Sequence, residues 1–186
     1  MKTIKVTGIF IFVALLAIPA IGQKSKEDKK AAKAAKKEQQ AQADAERAAV
    51  LNTSIEAKQY VLEANFLSDK YGQRLVVESS LNFVGIDADK CAFQFGNGKD
   101  IGYNGVGGVT VEGNVANYKM SQNKKGMYSI EFNVSTSAGT IFVVVTASPT
   151  GSADATISGS GSQKLTYSGT LVPLSESRVY KGTRTF

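Results

Sequence analysis

The sequence predicts a mainly β protein: an antiparallel β-sandwich or a partly open β-barrel preceded by an N-terminal helix. Three observations carry this. From Tyr60 onward, short runs of alternating apolar residues recur between turns rich in Gly, Asn, Asp and Ser. No helix-length segment separates those runs, and parallel strands would need such crossovers. Before them, residues 24–50 are rich in Ala, Lys, Gln and Glu and contain neither Gly nor Pro, so they favour helix. The β part, about 130 residues long, suffices for one core.

Residues 1–22 read as a secretory signal peptide. Lys2 and Lys5 form its positive start, residues 6–16 its uncharged apolar centre, and Ala20-Ile21-Gly22 sets small residues before a cleavage point at Gln23. The run is short for a membrane span and contains Gly8 and Pro19. No Cys follows the cleavage point, so a lipid anchor is not expected. The mature protein is expected to be exported, to the periplasm or beyond, with no transmembrane segment. Residues 23–50 form a charged helical spacer. Its charge favours a solvated segment, and its sharper use is peripheral contact with an acidic envelope surface. Residues 51–186 form the single β-rich domain.

Ala48, Leu51 and Ile55 sit at helical spacing, so the helix is expected to end near Gln59. Tyr60, Leu62, Ala64 and Phe66 alternate and predict the first strand. Ser68 to Gln73 is a turn, and Leu75, Val76 and Val77 open the next strand. Leu81, Phe83 and Ile86 lead through the Asp87-Ala88-Asp89 turn to Cys91, Phe93 and Phe95, a hairpin with an aromatic face. After a loop at 96–101, Asn104-Gly105 is suited to a tight turn, and Gly107-Gly108 lets the backbone approach another group closely. Val109, Val111 and Val115 then share one strand face, with Thr110, Glu112 and Asn114 on the other. Tyr118 to Met120 prolong that strand past a kink at Ala116-Asn117. Tyr128, Ile130, Phe132 and Val134 predict one inward face. Residues 140–146 are apolar on both faces and predict the most buried, central strand. Ala153, Ala155 and Ile157, a loop at 159–162, and residues 165–171 complete the set before a basic C-terminal segment.

The formal charge is +6, but residues 51–186 hold only +1 of it, which argues against a nucleic-acid-binding domain. The chain has no histidine, so Ser-His-Asp, Cys-His and histidine-based zinc sites are excluded. Cys91 is the sole cysteine and reads as a buried small hydrophobe. Asp87 and Asp89 lack the calcium-loop pattern. The glycines at 96–108 precede no helix, so phosphate-loop and dinucleotide readings fail. No catalytic residue, cofactor or metal is expected.

Three function classes remain. The first is non-enzymatic binding of a ligand or envelope partner, with Tyr103, Asn104, Gly107 and Gly108 as candidate contacts. An apolar ligand could be enclosed by Phe83, Phe93, Phe95, Tyr128, Phe132 and Phe142, although such aromatics usually fill the core. The second is a carboxylate-based hydrolase of envelope glycans, which requires at least two of Asp87, Asp89, Glu112 and Glu131 in one cleft. The third is a structural or assembly role through pairing of the Ala/Lys helix.

Residues 102–113 (GYNGVGGVTVEG), 82–89 (NFVGIDAD) and 165–174 (LTYSGTLVPL) together resemble an uncharacterised family of exported proteins and lipoproteins of Bacteroidota, known only as a domain of unknown function. The resemblance spans residues 58–182. It implies a periplasmic or outer-envelope location and no assigned activity. This chain departs from the lipoprotein relatives in lacking a lipid-attachment Cys.

Overall fold

The computed structural model describes residues 26–99, 101–159 and 164–185. The signal-peptide reading and its cleavage point, and most of the 159–162 loop, lie outside them. The elements are α1 (Lys26–Glu56), β1 (Gln59–Asp69), β2 (Arg74–Val76), β3 (Phe83–Asp87), β4 (Lys90–Gly96), β5 (Gly108–Gln122), β6 (Tyr128–Thr136), β7 (Gly139–Ala147), β8 (Ser152–Ser158), β9 (Lys164–Pro173) and a 3-10 turn (Leu174–Glu176). None of the described helices is long and apolar enough to cross a membrane.

The chain divides into two compact units between Glu38 and Gln39. In the first, every side chain described from Asp28 to Glu38 is exposed, as a helix without an apolar stripe requires. The second holds the rest of α1 and all the strands. Here a narrow stripe develops: Asp44 and Ala48 are half-buried, Leu51 and Ile55 fully buried. Burying the last two contributes about 1.5–3 kcal/mol each. Lys58, at φ 55°, reverses the chain from the helix into β1. The last turns of α1 therefore pack on the barrel end from which β1 starts. Tyr118 Oη donates to the Ile55 carbonyl at 3.1 Å, and Tyr128 Oη donates to Asn52 Oδ1 at 3.0 Å.

The strands form one antiparallel sheet, and β1 pairs with β9 to close it. The closed part has eight strands, with β2 paired only to the far end of β1. The alternative of a sandwich is thus replaced by a closed barrel. An eight-stranded barrel is just wide enough for side chains to fill. Tyr60, Leu62, Ile130, Phe132, Val143 and Tyr167 fill this one, and Leu51 and Ile55 belong to the same cluster.

Closure corrects two sequence expectations. A closed barrel has no central strand, and β7 is not the most buried. Val143 and Val145 point inward, whereas Phe142 is 45 % exposed. The alternation of β1 also breaks. A bulge between Ala64 and Phe66 switches parity, so Leu67 turns inward and Phe66 lies outside beneath the Arg74 guanidinium. The kink at Ala116-Asn117 is present as a second bulge, with Asn117 at φ 56°.

Cys91 is buried in the barrel. Burial pushes its thiol and the Tyr60 and Tyr167 hydroxyls above their ordinary values. The folded state therefore holds these protons after the unfolded chain would lose them. Stability from these groups is complete at neutral pH and falls as pH climbs past about 9–10, where the unfolded groups ionise. Urea midpoints measured from pH 8 to 11 should hold to about pH 9 and decline beyond it. A flat profile would refute the buried neutral state.

A candidate ligand-binding groove

The register of β1, β3, β4 and β5 aligns three rows on the outer face of the barrel. One row is Glu63, Phe83, Gln94 and Thr110. Next to it run Val61, Gly85, Ala92 and Glu112, then Gln59, Asp87, Lys90 and Asn114. Outward residues on a barrel normally meet water, yet Gln94 and Thr110 are fully buried and Phe83 is 2 % exposed. The C-terminal strap after β9 covers them.

Polar groups of the first row hold the strap by its backbone. Glu63 Oε1 accepts from the Ser177 hydroxyl and the Arg178 amide, both at 2.8 Å. Gln94 Nε2 donates to the Tyr180 carbonyl at 2.8 Å, and its Oε1 accepts from the Gly182 amide at 2.7 Å. Thr110 exchanges hydrogen bonds with Thr185. A buried amide is costly unless its donors and acceptors are all used, and Gln94 spends the remainder on Leu81 and Thr110.

The middle row is covered only in part: Val61 and Gly85 are buried, and Ala92 and Glu112 half-buried. Gly85 and Ala92 are small, so a trough opens between the strap and the third row. Its volume is about 1000 Å³, at the upper end of small-molecule sites. Val61, Phe83, Gly85 and Ala92 line the floor, while Leu174, Val179, Lys181 and Arg184 contribute the strap side. Asp87, Lys90, Asn114 and the Ser135-Thr136-Ser137 turn complete the rim. Lys181 pairs with Glu112 at 2.8 Å. Both side chains are partly exposed, so the pair is worth no more than about 1 kcal/mol. Gln59 Nε2 donates to Asp87 Oδ1 at 3.2 Å, and Lys90 Nζ to Asn114 Oδ1 at 2.6 Å.

The residues singled out from the sequence lie elsewhere, in the loop before β5. Asn104 is 1 % exposed and its side chain is committed inside that loop. Its Oδ1 accepts from Val106 and Gly108, and its Nδ2 donates to Phe95 and Thr110. The Asn104 side chain is thus buried and fully used within the loop. Gly108 is required by close packing, since a Cβ there would overlap the Phe95 carbonyl. Gly107 is buried, with φ 75°. Tyr103 alone of the four is 87 % exposed. Of the six aromatics considered for an enclosed ligand, Phe93, Tyr128 and Phe132 fill the interior, Phe95 packs against it half-buried, Phe83 lies under the strap and Phe142 faces out. Among the described residues no cluster of Cys, Asp or Glu could hold a metal.

The family model of a domain of unknown function, DUF4251, matches residues 42–171. This chain belongs to that family. A solved DUF4251 family protein from Bacteroides eggerthii is similar at 33 % identity, with a TM-score of 0.61, over 73 % of this chain and 93 % of that one. No curated protein matches. The DUF4251 match takes in the whole groove floor and the β6–β7 turn, and ends before the strap.

Sequence reasoning missed the groove because its floor is made by register. Gly85 and Ala92 are unremarkable in their own strands and become a trough only when aligned beside Val61 under a strap. The one available signal was Gln94, a polar residue amid the aromatics of β4.

Proposed function

We propose that this protein is a non-enzymatic binding module exported to the cell envelope, with its ligand in the outer groove. The observation that carries this reading is the trough itself: an apolar floor beside a polar rim, on a barrel whose interior is already full. The leader-like residues 1–22 support export, and the charged run at 23–50 supports peripheral contact with the envelope surface. Native mass spectrometry of the protein from its own envelope should find a small molecule that is released on denaturation. A bare chain that also shows no ligand-dependent change in melting temperature across an envelope extract would overturn it.

A hydrolase remains the second reading for one reason: Asp87 and Glu112 line the same groove. Their Cα atoms lie two strand spacings and one residue pair apart, roughly 11–12 Å. Each carboxylate already has a partner, Gln59 for Asp87 and Lys181 for Glu112. Asp89 and Glu131 are exposed and do not line the groove. Release of reducing ends from envelope glycan by the wild type, lost in Asp87→Asn and Glu112→Gln, would replace binding with hydrolysis.

A further inference from the structure

We infer that helix residues 28–38 dock on an anionic lipid surface through one lysine face. This rests on the reading of the protein as exported to the envelope and names the residues and the partner of its peripheral contact. The groove takes no part in it.

The lysines are gathered on one side. At about 100° per residue, Lys29, Lys30, Lys33, Lys36 and Lys37 fall within about 120° of the helix circumference. Lys29 and Lys36 form one flank, Lys30 and Lys37 the other, and Lys33 stands between them. The patch is about 12 Å long. Asp28 and Glu38, which bracket it in sequence, leave the helix about 140° from Lys33 on either hand. Ala31 and Ala35 occupy the side opposite Lys33. All of these side chains are exposed.

This arrangement works against the helix that carries it. Lys29, Lys33 and Lys37 follow one another at i, i+4, where like charges repel and a Glu–Lys alternation would stabilise. A helix that only needs to stay solvated gains nothing from that placement. A helix that meets a negative surface does, because the anions relieve the repulsion. Residues 51–186 hold only +1, so the attraction is concentrated on this face.

The chemistry of the patch points to lipid. Its cations are all Lys, a compact hydrated point charge; the planar Arg fork, which grips a single phosphate or base edge, is absent from it. Two flanks and a centre make a two-dimensional array, suited to several head groups in a plane and less to one strand of a linear polyanion. The segment has no apolar stripe, so it rests on the head groups without entering the acyl chains. Attraction of this kind acts within a Debye length and is screened by salt.

Sedimentation of residues 23–186 with vesicles tests the inference. Vesicles of mixed phosphatidylglycerol and phosphatidylcholine should carry the protein down at low salt and release it at high salt, and phosphatidylcholine alone should not bind it. Lys29→Gln, Lys33→Gln and Lys36→Gln together should weaken binding about a hundredfold, at roughly fivefold per lysine. A variant of unchanged composition separates a face from a net charge. Lys33→Ala with Ala35→Lys, and Lys36→Ala with Ala31→Lys, move two lysines to the far side. Ala and Lys are both strong helix formers, so the helix should persist while binding falls about twentyfold. Wild-type binding by this variant overturns the lysine face. Equal binding to neutral vesicles, or none to anionic ones, overturns the lipid surface, and binding to polygalacturonate alone would replace it with an acidic polysaccharide. Vesicle binding by a chain that yields no small molecule on denaturation would leave the docking face standing while the groove reading falls; a groove ligand without vesicle binding would do the reverse.

Discussion

Gly169→Ala should unlatch the barrel. Gly169 stands on β9 opposite Ala64, beside the bulge where β1 and β9 close the sheet. A Cβ at this position would overlap the Glu63 carbonyl oxygen and lie 2.8 Å from Ala64 Cα. Both neighbours are backbone, so no rotamer change relieves the collision. The seam must part locally or the fold must carry the strain. We expect a loss of about 3 kcal/mol or more, at the severe end for one methyl group. For a domain of this size that is a fall in melting temperature of roughly 6–12 °C. Gly159→Ala is the matched control, since its Cβ would meet nothing within 4 Å. Equal melting temperatures for the two variants would refute the seam as described.

The second large effect is expected at Asn104. In Asn104→Ala, the Val106 and Gly108 amides lose their acceptor, and the Phe95 carbonyl and Thr110 hydroxyl lose a donor. Each buried polar group left alone costs about 1–3 kcal/mol, and water entering the vacated space recovers part of it. A net loss of about 3 kcal/mol is the expected result in urea unfolding. Hydrogen exchange should quicken at Gly108 and also at Thr183, whose amide donates to the Asn104 carbonyl at 2.9 Å. Tyr103→Ser, by contrast, should stay within about 0.5 kcal/mol of the wild type, because the ring is exposed. Similar losses from the two substitutions would contradict the buried network.

These two sites show what kind of information a sequence carries. Asn104 drew attention as half of an Asn-Gly turn, which is a local property. Its actual work, satisfying Phe95 from β4 and Thr110 from β5, is a property of which strands are neighbours. Gly107-Gly108 was read as permitting close approach, and the Phe95 carbonyl is what Gly108 approaches. Gly169 was noticed only as part of the 165–174 motif, because nothing local marks which strand closes the sheet.

The sequence alone determined the order of helix and strands, the inward faces of β4 and β6, the kink in β5, the burial of Cys91 and the family. Each follows from short-range chemistry: side chains alternate along a strand, turns need Gly, Asn or Asp, and apolar periodicity survives translation into structure. Only the tertiary structure decided that the sheet closes, that Phe66 turns outward, that Phe142 faces away from the core, and that Gly85 and Ala92 share a trough walled by the strap. These depend on pairing register and on the meeting of Gln59–Asp69 with Lys164–Pro173 across the chain. Pairing of that kind shifts every side chain by one face for one residue of slip, so it is set by the packed whole.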